Sequence, residues 1–150
     1  MNTVPDNETA TAAWVIATMT EVAQQAAAAK TLAPAQVLQF AAALSHPRAA
    51  VCDHAVSLIQ DLQARGLVFD GLLLEMARSR APTVRYAALS CLSEHVSPAC
   101  ARCMLEAGLK DQAAILRCKA VEMAERLGCK LQITATAKAA AVSKESGVRT

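Results

Sequence analysis

Aromatic side chains are nearly absent from this sequence: one Trp, one Tyr and two Phe in 150 residues, or 3% of the chain. Glycine and proline are also scarce, at five each. Sandwiches and barrels need aromatic and β-branched strands separated by frequent turns, so this composition argues against an all-β fold. Charge of one sign is lacking too. Fifteen Lys and Arg face thirteen Asp and Glu, giving a formal net charge of +2, which argues against a surface tuned throughout for nucleic acid or anionic lipid. No apolar run is long enough to span a bilayer. The run from Ala10 to Met19 is short and Glu21 ends it. The opening Met-Asn-Thr-Val-Pro-Asp-Asn-Glu is acidic where the n-region of a signal peptide is basic.

What the sequence has in quantity is alanine and leucine within a 54% hydrophobic share. Alanine favours the helix and lets helices approach closely, so the fold class expected is all-α. Six cysteines, at 52, 91, 100, 103, 118 and 129, could pair in an exported protein. In a helical chain with no export signal, they read as reduced thiols of a cytoplasmic protein.

Helical periodicity divides the chain into segments. One helix covers Asn7 to Lys30 and another Gln36 to Leu44, with Pro34 at its first turn. A third covers Arg48 to Ala64 and closes on Arg65-Gly66. Shorter segments run from Phe69 to Arg78, from Thr83 to Val96 with Cys91 and His95 pointing inward, and from Ala99 to Leu109. Asp111 is expected to cap a last long helix to Leu127, ended by Gly128. The domain is expected to cover residues 1–132, with residues 7–33 as an N-terminal cap. Residues 133–150, rich in Ala, Thr, Lys and Ser, are expected to form a frayed tail.

The strongest signal is self-similarity. Ala77-Arg78-Ser79-Arg80-Ala81-Pro82-Thr83-Val84-Arg85 returns 32 residues later as Leu109-Lys110-Asp111-Gln112-Ala113-Ala114-Ile115-Leu116-Arg117. Ala88 then matches Ala120, Cys91 matches Met123 and His95 matches Leu127. A step of 33 in the other direction brings Val51, Ala55, Leu58, Ile59 and Leu62 onto the same positions. A helical hairpin cannot bury its apolar stripe alone, and stacking like hairpins buries a continuous core.

The pattern Pro82-x-Val84-Arg85-x-x-Ala88-x-x-x-Leu92 resembles the helix A signature of HEAT repeats, particularly the short type of the phycobilin-lyase relatives. The Asp that often precedes the signature stands at Asp111. There Ala114 takes the proline slot and Leu116-Arg117 follows, so the signature is split between two units. The first unit departs further, with His46 and Ala49 in those slots. The resemblance covers residues 34–128. It implies a right-handed α-solenoid of about three to four HEAT-like hairpins, with Arg85 and Arg117 tying neighbouring repeats together through carbonyls or acids. It does not imply an activity, because HEAT-like folds include scaffolds, lyases and DNA-repair glycosylases.

Four groups of residues invite a functional reading. Arg78, Arg80, Arg85, Lys110 and Arg117, with Arg48 near the same edge, recur at the turns between repeats and would form a basic ridge for an acidic peptide or a phosphate backbone. The plainer reading is that they serve only as braces between repeats. Asp70, Glu75, Arg102 and Glu106 fall on the shorter helices, a mixed-charge face suited to another protein. Cys91, His95, Cys100 and Cys103 have the composition of a zinc or redox site, yet the repeat assigns Cys91 and His95 to core slots. Trp14, with Val15 and Met19, is expected to close the core at the N-terminal end. Catalysis finds little support, with His46 in a turn, His54 on the outer part of a helix and no P-loop, HExxH or Ser-His-Asp pattern. The function expected is therefore a non-catalytic scaffold or adaptor. It would bind a partner protein without a cofactor, as a subunit of a larger complex or as a homodimer. A nucleic-acid-associated module is the alternative, and a zinc- or redox-responsive module a weaker one.

Overall fold

The computed structural model describes residues 7–128, and these form seven α-helices with no strand among them. The expected tail at residues 133–150 lies outside the described residues. In chain order the helices are α1 (Asn7–Ala29), α2 (Pro34–Leu44), α3 (Ala49–Ala64), α4 (Asp70–Met76), α5 (Pro82–Ser90), α6 (Pro98–Leu109) and α7 (Ala114–Arg126). The chain divides into two compact units, Met1–Phe69 and Asp70–Thr150.

In the first unit, α1, α2 and α3 pack against one another. Phe40, Leu44, Val51, Ala55 and Ile59 are fully buried there. The Phe40 and Phe69 rings meet edge to face, with centroids 5.4 Å apart, so two of the four aromatics anchor this core. A helix-spanning hydrogen bond joins Thr20 Oγ1 of α1 to His54 Nε2 of α3 at 2.8 Å. His54 therefore lies half-buried between two helices, not on an outer face as expected.

In the second unit, α4–α7 enclose Leu73, Leu92, Met104, Leu105, Leu116 and Met123. Gly108 of α6 faces Ala120 of α7 so closely that a Cβ at position 108 would lie 2.9 Å from the Ala120 Cβ. The small residues of the sequence act here as spacers, allowing two backbones to approach.

The periodic core positions hold in part. Ala55, Ala88 and Ala120 are each 0% exposed, and Ile59, Leu92 and Ala124 are likewise buried. Val51 and Leu116 are buried, whereas Val84 is only half-buried. The last expected inward position fails. Leu62 is buried, but α5 stops at Ser90 and His95 sits in the following turn with its side chain 42% exposed, 3.5 Å from Glu94. In the turn that follows, Ser93 Oγ accepts from the His95 N–H, a local side-chain partner that competes with further helix. The expected N-terminal closure by Trp14 also fails, since that residue is 68% exposed. α1 buries Met19, Val22, Ala23 and Ala26 instead, and Trp14 points away from that face.

Candidate functional site

One turn is built three times. It precedes α3, α5 and α7, and in each the residue two before the N-cap accepts the N-cap N–H through its side chain. His46 Nδ1 accepts from Arg48 N at 3.1 Å, Ser79 Oγ from Ala81 N at 3.2 Å, and Asp111 Oδ1 from Ala113 N at 2.9 Å. The three N-cap residues share an extended backbone, with φ/ψ of −84/119, −81/118 and −80/124. The acceptors are spaced by 33 and then 32 residues, the same offsets that relate the core positions. Three different residue types fill one slot because all the turn requires is an acceptor on a short side chain. The N-cap of α7 is thus Ala113, and Asp111 acts two residues before the capping position expected of it.

Histidine is the poorest of the three acceptors, because it can serve only as the neutral tautomer protonated on Nε2. His46→Asp is expected to raise stability by about 0.5–1 kcal/mol, since aspartate keeps the acceptor and adds negative charge beside the positive end of α3. Urea denaturation of the full chain at neutral pH checks this, and a lower midpoint for the aspartate variant counts against the shared turn.

The basic ridge resolves into braces and exposed cations. Arg85 holds Asp111 through two parallel bonds, Nε to Oδ2 at 2.8 Å and Nη2 to Oδ1 at 3.0 Å. Its Nη1 donates to the carbonyls of Ser79 and Arg80 at 2.9 and 3.1 Å. Arg117 repeats the second half of this arrangement 32 residues later, its Nη1 donating to the carbonyls of Asp111 and Gln112. Each arginine therefore folds back on the turn preceding its own helix, and Arg85 also reaches the next turn. The Arg85 and Asp111 side chains are only 19% and 11% exposed. The hydrogen bond from Arg85 holds the Asp111 carboxyl below the usual carboxylate range, with the Ala113 N–H and the charges of Arg85 and Arg117 acting in the same direction. Arg78, Arg80 and Lys110 remain exposed, and Arg48 is half-buried. Tyr86, the one aromatic near this edge, is covered by Lys119, whose Nζ lies 5.3 Å from the ring centroid and 3.4 Å from Glu122 Oε1.

The mixed-charge residues sit as follows. Asp70 opens α4 half-buried, and Glu75 is exposed further along it. Arg102 and Glu106 lie one turn apart on α6 and pair in solvent at 3.1 Å. Such an exposed pair adds little stability, which leaves both side chains available to a partner.

The structure does not gather the four candidate residues Cys91, His95, Cys100 and Cys103 around one point. His95 is exposed in its turn, Cys91 is fully buried at the end of α5, and the described residues contain no group of three or more His, Cys, Asp or Glu arranged to hold a metal ion. Cys100 and Cys103 stay together on α6. Cys100 is buried, its Sγ 3.8 Å from both the Asp70 carbonyl oxygen and the Met104 Sδ, while Cys103 is exposed. Burial, with Asp70 and Cys103 nearby, pushes the Cys100 thiol up to about 11, so at neutral pH it is protonated and a poor nucleophile.

In the first unit a groove of about 500 Å³ runs along α1 and α3. Its floor is Ala23 and Leu62, and its rim carries Gln24, Asp61 and Arg65.

Sequence reasoning finds the arginines but not their anchor. Asp111 joins a turn, a guanidinium and a helix start in one carboxylate, and the signal for it is present: an acceptor residue recurring two places before the N-caps of α3, α5 and α7. The Thr20–His54 bond leaves no comparable trace, because residues 34 apart on different helices show no periodic relation.

Comparison with protein-family models, with curated proteins and with solved structures found no match for this chain. Among the described residues no helix is long and apolar enough to cross a membrane.

Proposed function

We propose that this chain is a small HEAT-like α-solenoid of the cytoplasm whose role is to bind another protein, without chemistry of its own. The observation that carries this reading is the threefold turn, with His46, Ser79 and Asp111 in one slot and the arginine brace repeated at Arg85 and Arg117. A chain that rebuilds the same joint at each repeat invests its polar side chains in holding helices in register, which is what a scaffold requires. Asp70, Glu75, Arg102 and Glu106 supply the mixed-charge contact surface.

The same braces weigh against a nucleic-acid role. With Arg85 and Arg117 committed to carbonyls and a carboxylate, the ridge offers Arg78, Arg80 and Lys110. Three phosphate contacts would give a salt slope of only about −2.7 on duplex DNA, and half-buried Tyr86 beside Lys119 is a single aromatic for base stacking.

Affinity capture from the source cells tests the proposal. The tagged full chain is compared with a Glu75→Arg/Arg102→Glu variant, both positions being exposed. A partner protein held in stoichiometric amount by the parent and lost by the variant, with melting temperature unchanged, supports the reading. Equal recovery by both chains, or recovery of nucleic acid alone, rejects it.

A further inference from the structure

We propose that Cys100, Cys103 and Met104 form a site for a soft monovalent cation, Cu(I) or Ag(I). The three residues occupy positions i, i+3 and i+4 of α6 and so share one face of that helix. The Cys100 Sγ and Met104 Sδ are already 3.8 Å apart. Two sulfurs at that separation both reach a metal at a metal–sulfur length of about 2.3 Å, subtending an angle of about 110° at it. Cys103, one turn from Cys100 and exposed, completes a three-sulfur set and provides the way in from solvent.

The donor set chooses the ion. Thiolate and thioether ligands select Cu(I), whereas zinc sites use thiolate, imidazole and carboxylate. A zinc site would need His95, which the fold carries out to an exposed turn. A thioether adds nothing to a zinc site, so placing Met104 against Cys100 shifts the preference to the softer metal. Binding releases the thiol protons and involves no change of oxidation state, provided the metal is supplied as Cu(I).

Anaerobic titration of the full chain with Cu(I), against the colorimetric chelator bicinchoninate, tests the site. One equivalent per chain is expected to resist the chelator. Loss of a supporting group around a metal costs about 10–100-fold in affinity, so loss of a direct ligand is expected to cost at least about tenfold. Cys103→Ser changes an exposed residue and Met104→Leu conserves volume, so both should remain folded. X-ray absorption of the loaded protein is expected to show sulfur alone, at about 2.3 Å. Undiminished affinity in either variant overturns the assignment, because the remaining cysteines would then be the ligands. A first shell containing nitrogen or oxygen also overturns it.

Discussion

Gly108→Val is expected to lower the stability of the full chain by about 3 kcal/mol or more, the upper end for forcing atoms into a filled core. The space is already taken: a Cβ there would lie 2.9 Å from the Cβ of Ala120, an atom that cannot turn aside. The smaller change, Gly108→Ala, decides the sign of two competing effects. Helix propensity alone predicts a gain of up to about 1 kcal/mol, while overpacking predicts a loss of about 1–3 kcal/mol, and packing should win. Gly71 is the control. It lies in the first turn of α4, and beyond its chain neighbours and its own helix backbone no atom stands within 4 Å of the place an added methyl group would take, so Gly71→Ala should show a propensity gain with no opposing clash. Guanidinium denaturation of the three variants, together with Gly108→Ala/Ala120→Gly, measures both effects. A stabilised Gly108→Ala chain, or no rescue by the double exchange, removes the case for a close α6–α7 approach.

Asp111→Ala is expected to cost about 2–3 kcal/mol. The substitution leaves the Arg85 guanidinium mostly buried without its carboxylate and the Ala113 N–H without its acceptor. Asp111→Asn should cost less, because an amide oxygen can still accept from Ala113. A double-mutant cycle with Arg85→Met should give a coupling of about 1.5–3 kcal/mol, the range for hydrogen bonds to charged groups. The carboxyl of Asp111 is held below its ordinary value in the folded chain, chiefly by the Arg85 hydrogen bond. The unfolded chain therefore takes up a proton first as the pH falls. The stabilisation is complete above the ordinary carboxylate pKa of about 4 and is lost as the pH drops from there through the lowered folded value. Measured from about pH 7 down to about pH 2, the gap between the parent and Asp111→Ala should narrow below about pH 4. A gap that stays constant over this range, or widens, rules out the ion pair as its source.

Much of the fold is legible because a helix writes itself locally. The 3.6-residue period places α2, α3 and α6 within about two residues of their observed ends, and Gly66 and Gly128 mark helix exits with positive φ. The 32- and 33-residue offsets find Ala55, Ala88 and Ala120 as equivalent positions, and all three are fully buried. The period carries α5 on to Val96, well past its observed end at Ser90, since Ser93 closes the turn through a side-chain bond that no hydrophobic period encodes. The candidate site is half legible. The arginines stand out by their recurrence, but their occupation by Ser79, Arg80, Asp111 and Gln112 depends on where the preceding turn bends back. Trp14 escapes the pattern because terminal closure depends on which helix face meets a neighbour, and α1 turns Met19, Val22, Ala23 and Ala26 inward.

The amino-acid order alone determined that the chain is helical, where most helices start and stop, and which positions recur. These follow from interactions between residues a few places apart, or from repetition itself. Tertiary structure alone decided that Arg85 is held by Asp111, that His54 bonds to Thr20, that His95 sits exposed in a turn and that Cys100 lies buried against Met104. Even the i, i+4 sulfur contact depends on α4 packing against α6 to bury Cys100. A side chain's partner is set by the packing of whole helices, and that packing is a sum over many distant contacts that no local pattern contains.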